Sequence, residues 1–132
     1  MIMGRRTYEK VLSFRNWPYG NKPVVVLSGN MIEIPEDLAR TVSCSSESPR
    51  MLCERLSGER AKRLYIDGGI TIQRFLADGL IDDLTITVIP IILGSGRRLF
   101  GDAGTDIRLR HIATKTYEFG FVQLTYEVEN HA

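Results

Sequence analysis

Three short segments of the chain place glycines, hydroxyls and charged side chains where a strand gives way to a helix. In the stretch YIDGGITIQRFLADGL, residues 65–80, Asp67 and the consecutive glycines Gly68 and Gly69 stand between a predicted strand and an amphipathic helix. Two adjacent glycines cost backbone entropy and bring no packing return. They fit either a tight turn or a loop whose bare backbone approaches a pyrophosphate at the helix N-terminus.

The second segment is MGRRTYEKVL, residues 3–12, in which Gly4 ends an apolar start. Thr7 is predicted to cap a helix, and the first N–H groups of that helix would form an anion site together with Arg5 and Arg6. Taken alone, the same residues favour a capped helix with two solvated arginines.

The third segment is LSGN, residues 27–30, where Ser28 directly follows an apolar run and can bond a ribose or phosphate oxygen. A plain turn would have the same composition. Ligands of parallel α/β sheets lie at the carboxyl ends of the strands. Because all three segments follow predicted strands, we expect them to share one edge of a sheet.

The elements that position these loops are predicted from hydrophobic patterning. This patterning predicts a strand at residues 24–28 that is buried on both faces, and further strands at residues 63–67 and 82–89. It predicts helices at residues 49–56 and 70–80. Two more strands at 107–117 and 121–129 are joined by a glycine-containing connection typical of a hairpin. The expected fold is α/β, with a central mostly parallel sheet flanked by helices and an antiparallel C-terminal hairpin.

Composition narrows the functional classes. The chain has 132 residues, 43% of them hydrophobic, and a net charge of +1, which favours one domain over residues 1–132 and neither a nucleic-acid nor a membrane partner. Cys44 and Cys53 have no zinc-ligand spacing and the start has no secretory signal, so we expect free thiols, no metal and a cytoplasmic location.

Four stretches together resemble the dihydrofolate reductase-like superfamily. They are MIMGRRTYE, VVVLS, YIDGGITIQRFL and DDLTITVIPIILGSGRRLF. The last, with its P-x-x-L-G-x-G-x-x-L-F pattern from Pro90 to Phe100, is more similar to the branch of the C-terminal reductase domain of the bacterial riboflavin-pathway enzyme, the RibD C-terminal domain.

This resemblance implies NADPH binding and assigns residues to it. Arg5 would lie near the adenosine 2′-phosphate, Thr7 and neighbouring N–H groups would hold the pyrophosphate, and Leu27 and Ser28 would flank the adenosine. The residues expected to cover the pyrophosphate and nicotinamide ribose are Gly68, Gly69, Ile70 and Thr71. Asp67 resembles a substrate-facing acid of the riboflavin-type branch, although it also fits a turn aspartate that caps the next helix.

The resemblance also implies a segment that this chain does not show. Family members have some 30 to 40 residues before the G-R-x-T motif, which would carry a central strand, a mobile loop and, in true dihydrofolate reductases, the helix with the catalytic carboxylate. A sheet without that strand must close the gap, borrow a strand or leave backbone groups unpaired. We therefore expect a single domain that lacks the usual first strand and helix, with catalytic residues unknown.

Three functional interpretations follow. The favoured one is an NADPH-dependent reductase of a small pteridine- or pyrimidine-type substrate, similar to dihydrofolate reductase or to 5-amino-6-(5-phosphoribosylamino)uracil reductase. The alternatives are an NADP-binding domain without catalysis and a structural dimerisation module. His111 and His131 have no nucleophile beside them and receive no catalytic role. A homodimer is expected in addition, because Ile89, Ile91 and Ile92 exceed what one core-facing strand side would use.

Overall fold

Strands and helices alternate through the first part of the chain, which then ends in antiparallel strands. The computed structural model describes residues 1–129. The strands are β1 (Ile2–Gly4), β2 (Val24–Leu27), β3 (Val42–Ser45), β4 (Ile66–Asp67), β5 (Asp83–Val88), β6 (Leu109–Thr116) and β7 (Val122–Val128); the helices are α1 (Arg5–Leu12), α2 (Pro49–Gly58) and α3 (Gly69–Ala77), with a 3₁₀ turn at Glu36–Leu38. The α/β class and the C-terminal hairpin predicted from the sequence are confirmed.

The strands form two sheets. The first has the order β3-β2-β1-β4 with every neighbouring pair parallel, and the second has the order β5-β7-β6 with both pairs antiparallel. In the first sheet Gly4 is in register with Leu27, and Met3 with Asp67. The carboxyl ends of β1, β2 and β4 therefore lie within about one residue of each other along the sheet.

The first sheet is covered on both faces, which explains the uninterrupted valines of β2. Successive strand residues point to opposite faces. One face packs in a cluster containing Ile2, Val25 and Leu27 together with Leu52 of α2 and Phe75 of α3. The other face supplies Met3, Val24, Val26 and Val42 to a second cluster that contains Tyr8 of α1. All four residues of β2 are buried, as predicted for a strand with helices on both sides.

Several boundaries differ from the predictions. The strand β4 has two residues instead of five, and α3 ends at Ala77 instead of at residue 80. The strand β3 was not predicted, because its sequence VSCS has only one large apolar residue. The prediction that Thr7 caps the first helix is wrong, since Gly4 is the N-cap and Thr7 is the third helical residue. These differences arise because sheet pairing and packing, rather than local pattern, decide where an element ends.

A groove separates the two sheets. Within residues 1–129, β4 pairs only with β1 and β5 pairs only with β7, so each sheet presents an unpaired strand edge. A groove of about 680 Å³ is lined by residues 63–66 on one side and 82–86 on the other, with Ile72 and Leu76 of α3 also contributing. That a strand of the family belongs between these two edges stays a prediction.

Candidate functional site

The parallel sheet brings the three predicted loops to one edge. Gly4 follows β1 directly, Ser28 follows β2, and Asp67 and Gly68 end β4 and lead into α3. The register of the strands aligns Gly4 with Leu27 and Met3 with Asp67. Segments that are more than 60 residues apart in the chain, such as those of Gly4 and Gly68, are thus neighbours in space.

The N-termini of α1 and α3 meet at this edge through a reciprocal glycine–threonine contact. A Cβ atom added to Gly68 would lie 2.5 Å from Thr7 Oγ1, and one added to Gly4 would lie 2.8 Å from Thr71 Oγ1. Each helix therefore approaches the other only because the facing residue lacks a side chain. Thr71 is buried and Thr7 is half-buried, so the two hydroxyls line the junction between the helices.

Both helix N-termini lack a side-chain cap. The N-cap residues are Gly4 and Gly68, which have no side chain to cap the first turn, and no acidic residue occupies either first turn. The first N–H groups of a helix have no partner within that helix, and the helix dipole makes this end partially positive. The two adjacent first turns can therefore offer backbone donors to an anion.

Two arginines flank the first of these helix ends. Arg5 and Arg6 are the first two residues of α1 and both are exposed. Arg5 Nε lies 3.6 Å from Glu9 Oε1 one turn along the helix. An exposed pair of this kind contributes little to stability, so exchanging Glu9 for a phosphate would cost little.

Asp67 is held by the backbone that follows it. Its Oδ1 accepts a hydrogen bond of 2.8 Å from the N–H of Gly68, and the residue is half-buried. Asp67 is not the N-cap of α3, because Gly68 occupies that position with a φ of 93°. The capping role weighed for Asp67 is therefore wrong, and its carboxylate is fixed at the strand end with a second oxygen that can accept from a ligand.

Tyr19 belongs to the same region although no sequence pattern pointed to it. Burial raises the pKa of the Tyr19 phenol, and the negative charge of Asp67 raises that pKa further. Tyr19 packs edge-on against Trp17 with ring centroids 5.1 Å apart. The loop after α1 thus brings an aromatic side chain close enough to Asp67 to sense its charge.

The remaining predicted residues differ in what they expose. The Leu27 side chain belongs to the apolar core, so any contact of Leu27 with a ligand at this edge would involve its backbone. Ser28 is half-buried, and its Oγ accepts from the N–H of Asn30 at 3.3 Å. Ile70 is 63% exposed in the first turn of α3, which leaves an apolar side chain beside the helix end.

A loop after β5 crosses the first turn of α3. A Cβ on Gly69 would lie 3.8 Å from the carbonyl oxygen of Arg98, and Gln73 Nε2 donates to the carbonyl oxygen of Leu99 at 3.1 Å. Arg97 and Arg98 are exposed next to this contact. In the sequence this segment only supported the family resemblance, and neither arginine was predicted to belong to the site.

The groove between the two sheets does not coincide with this edge of the parallel sheet. Its lining contains none of the residues predicted to bind cofactor or substrate. Because the helix ends and the aligned strand ends lie outside it, we identify the sheet edge rather than the groove as the candidate site.

Other chemistry-bearing residues also lie away from this edge. His111 is on β6 and its Nε2 lies 2.6 Å from Thr114 Oγ1, whereas His131 is outside the described residues. In residues 1–129 no group of three or more His, Cys, Asp or Glu side chains could hold a metal ion. The part of the chain that the structure describes has no helix long and apolar enough to cross a membrane.

Comparison with known proteins gives consistent matches. The family model of the RibD C-terminal domain matches residues 6–122. The uncharacterised protein YwjB of Bacillus subtilis (strain 168) is 35% identical over 129 residues, which cover 96% of this chain and 71% of YwjB.

Two crystal structures are also similar. A protein from Shewanella sp. PV-4, provisionally named a riboflavin biosynthesis protein, is 38% identical with a TM-score of 0.91, and the match covers 98% of this chain and 73% of that one. A pyrimidine reductase-like protein from Corynebacterium diphtheriae shares the fold at 18% identity, with a TM-score of 0.71 and coverage of 98% and 75%.

Proposed function

The chain belongs to the RibD C-terminal domain family, and we propose that it is an NADPH-dependent reductase of a small pteridine- or pyrimidine-type heterocycle. The observation that carries the proposal is the meeting of two uncapped helix N-termini at the carboxyl edge of the parallel sheet. Such an arrangement offers several backbone N–H donors to one anionic group. The pyrophosphate of a dinucleotide is a ligand of matching charge.

The proposed cofactor site uses the residues at this edge. The first turns of α1 and α3 and the Thr7 hydroxyl would hold the pyrophosphate. Gly4 and Gly68 permit the close approach of the two helices. Arg5 and Arg6 would meet the 2′-phosphate, with Leu27 and Ser28 beside the adenosine. Gly69, Ile70 and Thr71 would cover the nicotinamide ribose. When bound, NADPH supplies the hydride, and the protein supplies position and exclusion of water.

The proposed substrate site centres on Asp67. Its carboxylate is oriented by the Gly68 N–H, which leaves the other oxygen to accept a hydrogen bond from a ring N–H of the substrate. Tyr19, whose phenol pKa is raised by burial and by the charge of Asp67, would offer a planar surface to the heterocycle. A reductase also needs a proton donor for the reduced product, and we assign none of the described residues to that role.

Direct titration with both cofactors tests the cofactor part of the proposal. We expect NADPH to bind and to be preferred over NADH, because only NADPH carries the phosphate that would meet Arg5 and Arg6. Binding can be followed by calorimetry with the whole chain. Equal affinity for the two cofactors would contradict the preference, and binding of neither would favour the structural dimerisation module.

A turnover assay tests the enzymatic part. Oxidation of NADPH, followed at its absorbance band in the presence of pterin and pyrimidine substrates, is the expected result. Tight NADPH binding without turnover of any such substrate would favour the non-catalytic NADP-binding domain. The proposal treats residues 1–132 as one domain. It places the protein in the cytoplasm, which two free cysteines support.

A further inference from the structure

The loop after β5 carries two arginines that lie outside the proposed site as described so far. Arg97 and Arg98 are consecutive and both are exposed. The salt bridges within residues 1–129 involve other arginines, namely Arg5, Arg55, Arg63 and Arg110. Neither Arg97 nor Arg98 is therefore neutralised by a carboxylate of the described chain, although the chain as a whole is nearly balanced at a net charge of +1.

The loop is anchored to α3 at two points. Gln73 Nε2 donates to the carbonyl oxygen of Leu99 at 3.1 Å. A Cβ on Gly101 would lie 2.5 Å from Gln73 Oε1, so the loop also folds closely around this side chain. Gln73 lies one turn into α3, and its amide therefore fixes the loop across the beginning of the helix.

This anchoring places the backbone of Arg98 beside the N-terminus of α3. The Arg98 carbonyl oxygen is 3.8 Å from the position of a Cβ on Gly69, the first residue of the helix. The exposed side chains of Arg97 and Arg98 start from this backbone, next to that helix end. Arg5 and Arg6 stand at the other helix end, across the contact of Gly68 with Thr7.

We propose that Arg97 and Arg98 bind the pyrophosphate of the dinucleotide from the side opposite α1, so that the phosphates lie between two helix N-termini and this loop. The inference rests on the proposed function, because it concerns the same cofactor, but it assigns these arginines to a different phosphate from Arg5. A guanidinium binds phosphate oxygens through charge-assisted and often bidentate hydrogen bonds. The loop would thus contribute affinity that is shared by NADPH and NADH.

The test compares both cofactors on single variants. We expect Arg97→Ala and Arg98→Ala to weaken NADPH and NADH by the same factor, and the double variant by about tenfold or more, the usual effect of losing a hydrogen bond to a charged group. Arg5→Ala should instead weaken NADPH more than NADH. Arg40→Ala is the matched control, because Arg40 is exposed and precedes β3 at the opposite edge of the sheet.

The outcomes separate this inference from the proposed function. If the unmodified chain binds neither cofactor, the proposed function fails and the inference fails with it. If the unmodified chain binds NADPH and the double variant binds both cofactors equally well, only the inference is overturned. A loss confined to NADPH would also overturn it, since the arginines would then contact the 2′-phosphate. Melting temperatures equal to that of the Arg40→Ala variant would show that each variant is folded.

Discussion

Gly68 and Gly69 are adjacent in the chain but serve different purposes in the structure. Gly68 has a φ of 93°, and a Cβ there would lie 2.5 Å from Thr7 Oγ1. Any other residue at this position would be strained and would push the two helices apart. Gly69 has neither constraint, since a Cβ there would meet only the carbonyl oxygen of Arg98 at 3.8 Å, an ordinary contact distance. Substitution of Gly68 therefore disturbs the fold itself, and only Gly69 reports on a ligand.

We expect Gly69→Val to abolish or strongly weaken NADPH binding while the domain stays folded. The branched side chain would occupy the space beside the first turn of α3 where the phosphates are proposed to lie. Calorimetric titration measures the affinity, and circular dichroism measures the fold. Gly58→Val is the control, because that glycine has open space around it and lies at the end of α2, away from the proposed site. Normal NADPH binding by Gly69→Val would mean that Asp67-Gly68-Gly69 is only a turn.

Arg5→Ala is expected to weaken NADPH more than NADH. The loss should be about 1 to 3 kcal/mol for NADPH, the cost of a hydrogen bond to a charged group. The protein should keep its stability, because the Arg5 and Glu9 side chains of this ion pair are 47% and 61% exposed and such a pair contributes little. An equal loss for both cofactors would place Arg5 at the pyrophosphate instead.

Cys53 is expected to react slowly with thiol reagents at neutral pH. Burial raises the pKa of the Cys53 thiol above its usual value of 9.0. A raised pKa lowers the fraction of reactive thiolate at any given pH, so alkylation of Cys53 should rise with a midpoint above pH 9.0. Mass spectrometry of a Cys44→Ser variant measures Cys53 alone. A midpoint below that value would show that Cys53 is more open to solvent than this structure describes.

At the scale of the elements, the three helices begin in two different ways. α1 and α3 begin at glycines that approach a neighbouring helix, whereas α2 begins at Ser48, whose Oγ accepts from the N–H of Met51 at 3.3 Å, with Pro49 as the first helical residue. A hydroxyl cap followed by proline is a favourable helix start. The helix without a ligand role in the proposal is thus the one with a side-chain cap.

This difference predicts the effect of removing the cap. We expect Ser48→Ala to lower the free energy of unfolding by about 1 kcal/mol, the usual cost of losing a serine N-cap. The effect should reach the whole domain, because α2 contributes the fully buried Leu52 to the core. Urea denaturation measures it, with Ser46→Ala as the control at an exposed neighbouring position. Equal stability of the two variants would contradict the capping role.

At the scale of the whole molecule, the two sheets are covered very differently. The parallel sheet has helices on both faces, whereas every residue of β6 is exposed and β5 has only two half-buried residues. Within the described residues, the helices of the chain therefore do not cover both faces of β5. The exposed apolar side chains of β5, the loop that follows it and β6 include Val88, Ile89, Ile91, Ile92, Leu93, Leu109 and Ile112. Exposed apolar surface of this extent favours contact with another protein.

We therefore expect a homodimer in which this surface is covered by a second copy. Ile92→Asp should dissociate the dimer, because it places a charge on a residue that is 97% exposed within the apolar surface. Met31→Asp is the matched control, since Met31 is 96% exposed but lies in a loop of the parallel-sheet part. Light scattering at micromolar concentration measures the mass. A monomer of about 14.9 kDa for the unmodified chain would contradict the prediction.

The sequence by itself determined the features that depend on neighbouring residues. The run of valines predicted a strand buried on both faces, the hairpin at residue 120 was evident from its glycine, and α2 was predicted with its first residue correct. The fold class followed from the order of these elements. Local signals succeed here because patterning and turn chemistry act over a few residues.

Only the tertiary structure decided which distant residues meet. The contacts of Gly4 with Thr71, of Gly68 with Thr7 and of Arg98 with Gly69 join residues between 29 and 67 positions apart, and Tyr19 senses the charge of Asp67 from a separate loop. The shortness of β4 and the separation of two sheets likewise depend on which strands pair. Such contacts leave no local pattern in the sequence, because they depend on how two packed surfaces fit together and not on the neighbouring residues in the chain.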